Sequence, residues 1–287
     1  MSIKIIFINL FVLLAFSSGI TFAGDTLKIM TYNLEGMKPG TEPGKRIIHI
    51  IEKLREINPD IIGLQEINEF LDGTKNQGRQ IADSLSAYFH IPFYFYQSFT
   101  HLAWDNHFRE SIGIISKYPI LNKGFKQLDQ GVFFRKVIWC YIKTPLGMVN
   151  MFNTHLSFNS SDVRFQQVQQ IKDYIKKQEK EHPGIASVLT GDFNDTPEAN
   201  SITALTNGRS GKFFIDTFAK INPKIPGNTV PASSPVSKID YIFSKITGLI
   251  EIVSSAVVMN KPYDGVNYCS DHLGVLTKFR RTGKLPK

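Results

Sequence analysis

Six short segments of this chain close on an amide, a carboxylate or an imidazole. They are Thr31-Tyr32-Asn33, Leu64-Gln65-Glu66, Asn153-Thr154-His155, Gly191-Asp192-Phe193-Asn194, Ile239-Asp240-Tyr241 and Ser270-Asp271-His272. Five of them follow, or belong to, an apolar stretch that reads as a buried strand. Neighbouring strands of a sheet lie about 5 Å apart, so polar groups at the ends of several core strands converge on one place. The fold must therefore bring several buried strands to a common edge.

Helical patterns separate the strands. Residues 45–58 place Ile47, Ile50, Ile51, Leu54 and Ile57 on one helical face, and Asn58-Pro59-Asp60 stops the helix. Further helices are expected at 79–89, after a cap at Ser160 or Ser161, and from Pro197. Strands are expected at 28–33, 61–64, 93–97, 111–116, 137–143, 148–153, 185–189, 238–243 and 250–258, with a last one after His272. Strands mixed with amphipathic helices define an α/β layered fold.

The chain has 287 residues, 42% hydrophobic and 20% charged. That is ordinary globular material with ample apolar residues for a core. The motifs span Asn33 to His272, so residues 24–287 are read as a single domain. Residues 1–23 read as a signal peptide: Lys4 is followed by an apolar run over 5–16, and Thr21-Phe22-Ala23 offers a cleavage site. The run is shorter than the ~20 residues of a membrane span. A secreted or periplasmic protein is expected. The formal charge is +8, which suits a polyanion or an anionic membrane surface as partner, or simply a solvated basic exterior. Export permits a disulfide between Cys140 and Cys269, but their placement favours two buried thiols.

The six segments together resemble the endonuclease/exonuclease/phosphatase superfamily, which includes pancreatic-type deoxyribonucleases, abasic-site endonucleases, bacterial neutral sphingomyelinases and inositol polyphosphate 5-phosphatases. The resemblance covers about 26–280. It implies a four-layer α/β sandwich, in which two mixed β-sheets pack face to face with helices outside and the site lies at one edge. It also implies metal-dependent hydrolysis of P–O bonds.

Hard oxygen donors, with no zinc-type Cys/His cluster, indicate Mg²⁺, with Mn²⁺ as a substitute. By resemblance Glu66 is the main metal ligand, with Asn33 and Asp271 as further metal contacts. Asp192 and Asn194 lie two apart and point the same way in extended chain. Asp192 would orient or deprotonate the attacking water, and Asn194 and Asn33 would hold phosphoryl oxygens. His272, supported by Asp240, would contact the phosphate as a base or as a cationic clamp. His155 would donate to a phosphate oxygen or protonate the leaving group, with Glu110 as its carboxylate partner.

Substrate choice rests on loops at 72–80, 100–109 and 222–237. The second carries Trp104, a candidate contact for a base or a membrane interface. The leading reading is a secreted nuclease acting on DNA or RNA as a monomer, with binding that weakens steeply in salt. A sphingomyelinase-like or small-molecule phosphoesterase is the alternative, and a non-catalytic binding or toxin subunit the third.

Overall fold

A computed structural model describes residues 26–206, 213–246 and 248–282. The expected signal peptide, residues 1–23, lies outside the described residues. One sheet has six strands in the order β11-β12-β1-β2-β4-β3. These are β1 (Thr26–Asn33), β2 (Ile61–Phe70), β3 (Tyr94–Ala103), β4 (Phe108–Ser116), β11 (Ile250–Val258) and β12 (Gly274–Arg281). The other sheet runs β5-β6-β7-β8-β10-β9. Its strands are β5 (Ile120–Gln127), β6 (Lys136–Thr144), β7 (Gly147–His155), β8 (Ala186–Asp192), β9 (Ile215–Asp216) and β10 (Asp240–Ile246).

Each sheet contains one parallel pair, β1–β2 and β7–β8, and the other pairings are antiparallel. Parallel neighbours need a crossover. Helix α1 (Pro43–Ile57) supplies the first and α3 (Ser161–Glu181) the second. The two parallel ladders therefore end together: β1–β2 pairing stops at Asn33 opposite Gln65, with Glu66 next in the mid-strand bulge of β2, and β7–β8 pairing stops at His155 opposite Asp192. Crevices at the carboxyl ends of parallel strands are where open α/β sheets bind ligands.

Period-2 alternation sorts the strands into layers. Ile29 and Ile61 face the other sheet, where Ile138, Met151 and Val188 complete the central core. Met30, Ile62 and Leu64 face outward onto Ile47, Ile50 and Leu54 of α1 and onto Ile81 and Leu85 of α2 (Gln77–Phe89). Phe152, Leu189 and Phe243 face Val168 and Ile171 of α3 and Ile202 of α4 (Asn200–Thr206). A short α5 (Thr217–Ile221) adds Phe218 to the central core. The four-layer sandwich is thus the architecture. Ser160 caps α3 by accepting from Val163 N–H, and Asn58 ends α1 in the left-handed conformation.

Three differences from the sequence expectation have local causes. Pro197 lies within a turn closed by Ala199 N–H donating to Thr196 O, and α4 starts only at Asn200. Strand β5 was not foreseen because its residues, Ile-Leu-Asn-Lys-Gly-Phe-Lys-Gln, form an exposed edge without a buried alternation. The segment 100–109 is largely strand rather than loop, forming the β3–β4 hairpin with its tip at 104–107. Both cysteines are free and buried, Cys140 between the sheets and Cys269 under α1.

A polar pin crosses the central core. Asn153 Nδ2 donates to Leu64 O at 2.8 Å and Gly113 O at 2.9 Å, and Asn153 Oδ1 accepts from Gln65 Nε2 at 2.7 Å and Thr190 Oγ1 at 3.1 Å. All the bonding capacity of the amide is used. Gly63 makes room for it: a Cβ there would overlap Thr190 Oγ1 and lie 2.8 Å from Asn153 Oδ1. Gly63→Ala is expected to cost on the order of 1–3 kcal/mol by overpacking, read as a lower thermal midpoint. An unchanged midpoint would mean that the sheets have slack at this point.

Candidate active site

The site forms where the two parallel pairs end. In the β2–β4 pairing the register shifts between Leu64 and Ile67, and Glu66 has φ 53°. This bulge redirects the Glu66 side chain out of the ladder. Asn33 Nδ2 donates to Glu66 Oε1 at 2.9 Å and to Asp192 Oδ2 at 3.1 Å, joining the two sheets at their edge. Asn33 Oδ1 accepts from Glu35 N–H at 2.9 Å, which fixes the amide orientation. Beside Asp192, Asp240 begins β10 in direct register with it. His272 Nδ1 lies 2.9 Å from Asp240 Oδ2, and its Nε2 lies 3.7 Å from Asp192 Oδ2. His155 Nε2 approaches the same Asp192 oxygen to 3.5 Å. Asn194, at φ 52°, donates its N–H to Asp192 Oδ1 at 2.9 Å and its Nδ2 to Leu156 O at 3.1 Å.

The two imidazoles carry different charges. Burial disfavours charge on His272, but Asp240 and Asp192 outweigh it and raise the pKa well above 6.5. His272 is an imidazolium at neutral pH. Burial, then the charges of Arg135, His272 and His101, push His155 well below 6.5, so it is neutral. Arg135 Nη1 donates to His155 Nδ1 at 3.1 Å, which leaves the ring proton on Nε2. His155 therefore offers a neutral N–H donor, while His272 offers a charged one. Asp192 is raised to about 7, mainly by burial, with Asp240 adding to the shift and His272, Asn194 and Asn33 opposing it. A carboxyl in that range exchanges protons near neutral pH.

Most of the expected residues meet here, with three changes of role. Glu110 does not face His155. Its Oε1 lies 3.5 Å from His101 Nε2 and 3.6 Å from Arg135 Nη1, and Arg135 stands between Glu110 and His155. Asn33 presents its nitrogen, not its oxygen, to the carboxylates, so here it is a donor that spaces them. Asp271, 43% exposed at its side chain, faces Lys38 Nζ at 3.5 Å rather than the carboxylates. Trp104 lines the cleft. His101, from the same 100–109 stretch, lines it too, and so do Arg135 and Phe133, which no sequence motif marks. Arg46 was also missed: it donates to Leu34 O at 2.8 Å and Cys269 O at 2.9 Å, clipping together the segments after Asn33 and before Asp271.

The cleft measures about 470 Å³ and has Glu66, His155, Asp192, Asn194 and His272 on its polar side. Asp192, Asp240 and His272 bring one donor atom each within 4.8 Å of one another. His272, being protonated, has no free lone pair to give, so the donors left are hard carboxylate oxygens, and burial raises Asp192 to about 7 and raises Glu66 as well. The residues fit a divalent cation bound from oxygen.

An edge of converging carboxylates, amides and imidazoles over two packed sheets defines a metal-dependent phosphoesterase. The sequence pattern of the Endonuclease/Exonuclease/phosphatase family matches residues 30–272, and the chain belongs to that family. No curated protein matches the chain. Solved structures share its fold at low identity. One is an endonuclease/exonuclease/phosphatase family protein from Leptotrichia buccalis (19% identity, TM-score 0.71, 88% of this chain and 98% of that one). Another is a mannosyl-6-phosphatase from Bacteroides thetaiotaomicron (20%, 0.71, 88% and 99%). A third is the human nocturnin catalytic domain with bound sulfate (16%, 0.70, 90% and 95%).

Proposed function

We propose that this chain is an exported, Mg²⁺-dependent phosphodiesterase that cleaves nucleic acid, with Mn²⁺ able to substitute. The observation that carries the diesterase reading is the pair of imidazoles on Asp192, one charged and one neutral, at 3.7 and 3.5 Å. A phosphodiester needs donors for its non-bridging oxygen and a proton for its leaving alkoxide. Neutral His155 and Arg135 supply the first, and His272 can supply the second. Asp192 accepts a proton from the attacking water, and Asn194 holds its turn in place. A bound divalent ion would contribute positive charge beside the phosphoryl group and a more acidic water. Glu66 and Asp192, spaced by Asn33, would hold it, with Asp271 at the margin. With every expected catalytic position filled, a purely binding role or a toxin subunit has the least support.

A phospholipid reading has one observation of its own. Val132 and Phe134 flank the cleft residue Phe133 and are 55% and 48% exposed. A panel of plasmid DNA, single-stranded DNA, RNA, sphingomyelin liposomes, a sugar 6-phosphate and a bis-aryl phosphate, each with Mg²⁺, separates the readings. Cleavage of nucleic acid is expected. Turnover of liposomes or of the sugar phosphate without any cleavage of nucleic acid would replace this proposal.

Protons and metal compete for the same buried carboxylates. Asp192 is raised to about 7, chiefly by burial, and burial raises Glu66 as well. As pH falls toward that range the metal-free site takes up protons that a cation must displace. The rise in thermal midpoint on adding Mg²⁺ is therefore expected to grow between pH 6 and pH 8. A stabilisation independent of pH over that range would place the metal away from these groups.

A further inference from the structure

Resting on the nucleic-acid reading above, we infer that His101, Phe133 and Phe158 form a stacking subsite for an unpaired base next to the scissile phosphate, which makes single-stranded nucleic acid the substrate class. The rings of His101 and Phe133 stack with centroids 4.1 Å apart and planes 14° apart. The Phe158 ring follows at 6.1 Å, tilted by 41°. All three line the same cleft as His155 and His272. The wall begins one side chain from the phosphate groups, because the Arg135 guanidinium lies 5.8 Å from the Phe133 centroid while its Nη1 contacts His155.

The outermost ring is uncovered and stands on a tethered backbone. Phe158 is 53% exposed. Its carbonyl accepts from Arg164 Nη1 at 3.0 Å, and Arg164 Nη2 donates to Asp195 Oδ1 at 2.8 Å, directly after Asn194. One clamp thus ties the backbone that carries the Phe158 ring to the turn that carries Asn194. Holding the backbone under a ring before the ligand arrives lowers part of the ordering cost of binding. Trp104 forms another lip. It, Asp105 and Asn106 have φ of 51°, 55° and 63°, and its indole Nε1 donates to Asn68 Oδ1 at 3.0 Å. Three successive non-glycine residues in the left-handed region are strained, and such strain is kept at ligand-binding loops.

Charge does not supply the alternative. Among the described residues lining the cleft, Arg135 is the only lysine or arginine. A groove that tracks a long phosphate backbone needs several such groups. The net positive charge of the chain lies elsewhere, and the steep salt dependence expected from composition is replaced here by a shallow one. Stacking is sequence-tolerant and requires a base that is not paired.

The test compares cleavage of a short single-stranded DNA with the same strand carrying an abasic residue beside the scissile phosphate. Both are run with wild type, Phe158→Ala and Phe158→Trp. Phe158→Ala is expected to raise KM on the order of 10- to 100-fold, with a smaller loss in kcat. The abasic strand should produce the same penalty in wild type and little further penalty in Phe158→Ala. Phe158→Trp should restore binding of the intact strand, and the duplex should be cut more slowly than the single strand. Unchanged KM in Phe158→Ala, or penalties that multiply independently, would overturn the subsite while leaving the nuclease reading standing. Failure of wild type to cut any oligonucleotide, with the bis-aryl phosphate still hydrolysed, would remove the nuclease reading and the subsite with it. Loss of vesicle binding in Phe158→Ala, with oligonucleotide KM unchanged, would assign the wall to a membrane instead.

Discussion

Glu66→Gln is expected to retain the fold and to lose turnover on the order of 10³-fold or more. The amide keeps the shape of the side chain and an acceptor for Asn33 Nδ2, now 2.9 Å from Glu66 Oε1. What disappears is the negative charge facing the position of the cation, and a Lewis-acid metal supplies several kcal/mol of transition-state stabilisation. The stability effect should have the opposite sign. The Glu66 carboxyl is raised above its ordinary value, first by removal from water and then by Asp271, with Asn33, His272 and Arg135 opposing. A raised carboxylate pKa means that the ionised form costs folding free energy at pH values above it. Gln removes that cost, so the metal-free variant should melt no earlier than wild type at pH 7, while its gain from Mg²⁺ shrinks. Steady-state kinetics and melting with and without Mg²⁺ read both effects. Full activity of wild type in EDTA, or of Glu66→Gln in Mg²⁺, would dismiss the role.

The parts of this site that sequence made legible share one property: each is a polar residue closing an apolar run. Asn33, His155 and Asp192 end β1, β7 and β8, Glu66 follows the apolar run Ile61–Leu64 at the bulge inside β2, and those runs had to be buried strands. The parallel pairs then force the ends together. Arg135 was illegible because it sits at the start of a strand in Phe133-Phe134-Arg135-Lys136, where a basic residue is unremarkable. Only the β6–β7 register, with Val137 opposite Thr154, brings it beside His155. The Glu110–His155 pair, carried over by resemblance, failed for the same reason, since a guanidinium now occupies the gap. The orientation of Asn33 depends on one backbone N–H at Glu35, whose φ of 55° no pattern of side chains announces.

His272→Ala is expected to lower kcat on the order of 10² to 10⁴-fold, and its neighbours should reveal why. His272 is held as an imidazolium by Asp240, at 2.9 Å from Nδ1, and by Asp192. Its pKa in the folded protein lies well above 6.5, so the charged form persists as pH rises past the unfolded value and is lost only near the folded one. Asp240→Asn keeps the shape and removes the nearer charge. It should therefore be milder than His272→Ala, and it should move the alkaline limb of the pH–rate profile to lower pH. His155 gives the contrast. Its pKa is already well below 6.5, so it is neutral across the working range and contributes a hydrogen-bond donor rather than a proton. His155→Ala should also be slow, but with the alkaline limb in place, and His155→Gln should recover part of the loss through its own N–H. Near wild-type turnover in His272→Ala, or an alkaline limb that Asp240→Asn leaves unmoved, would sink the assignment of His272 as the charged partner of the phosphate.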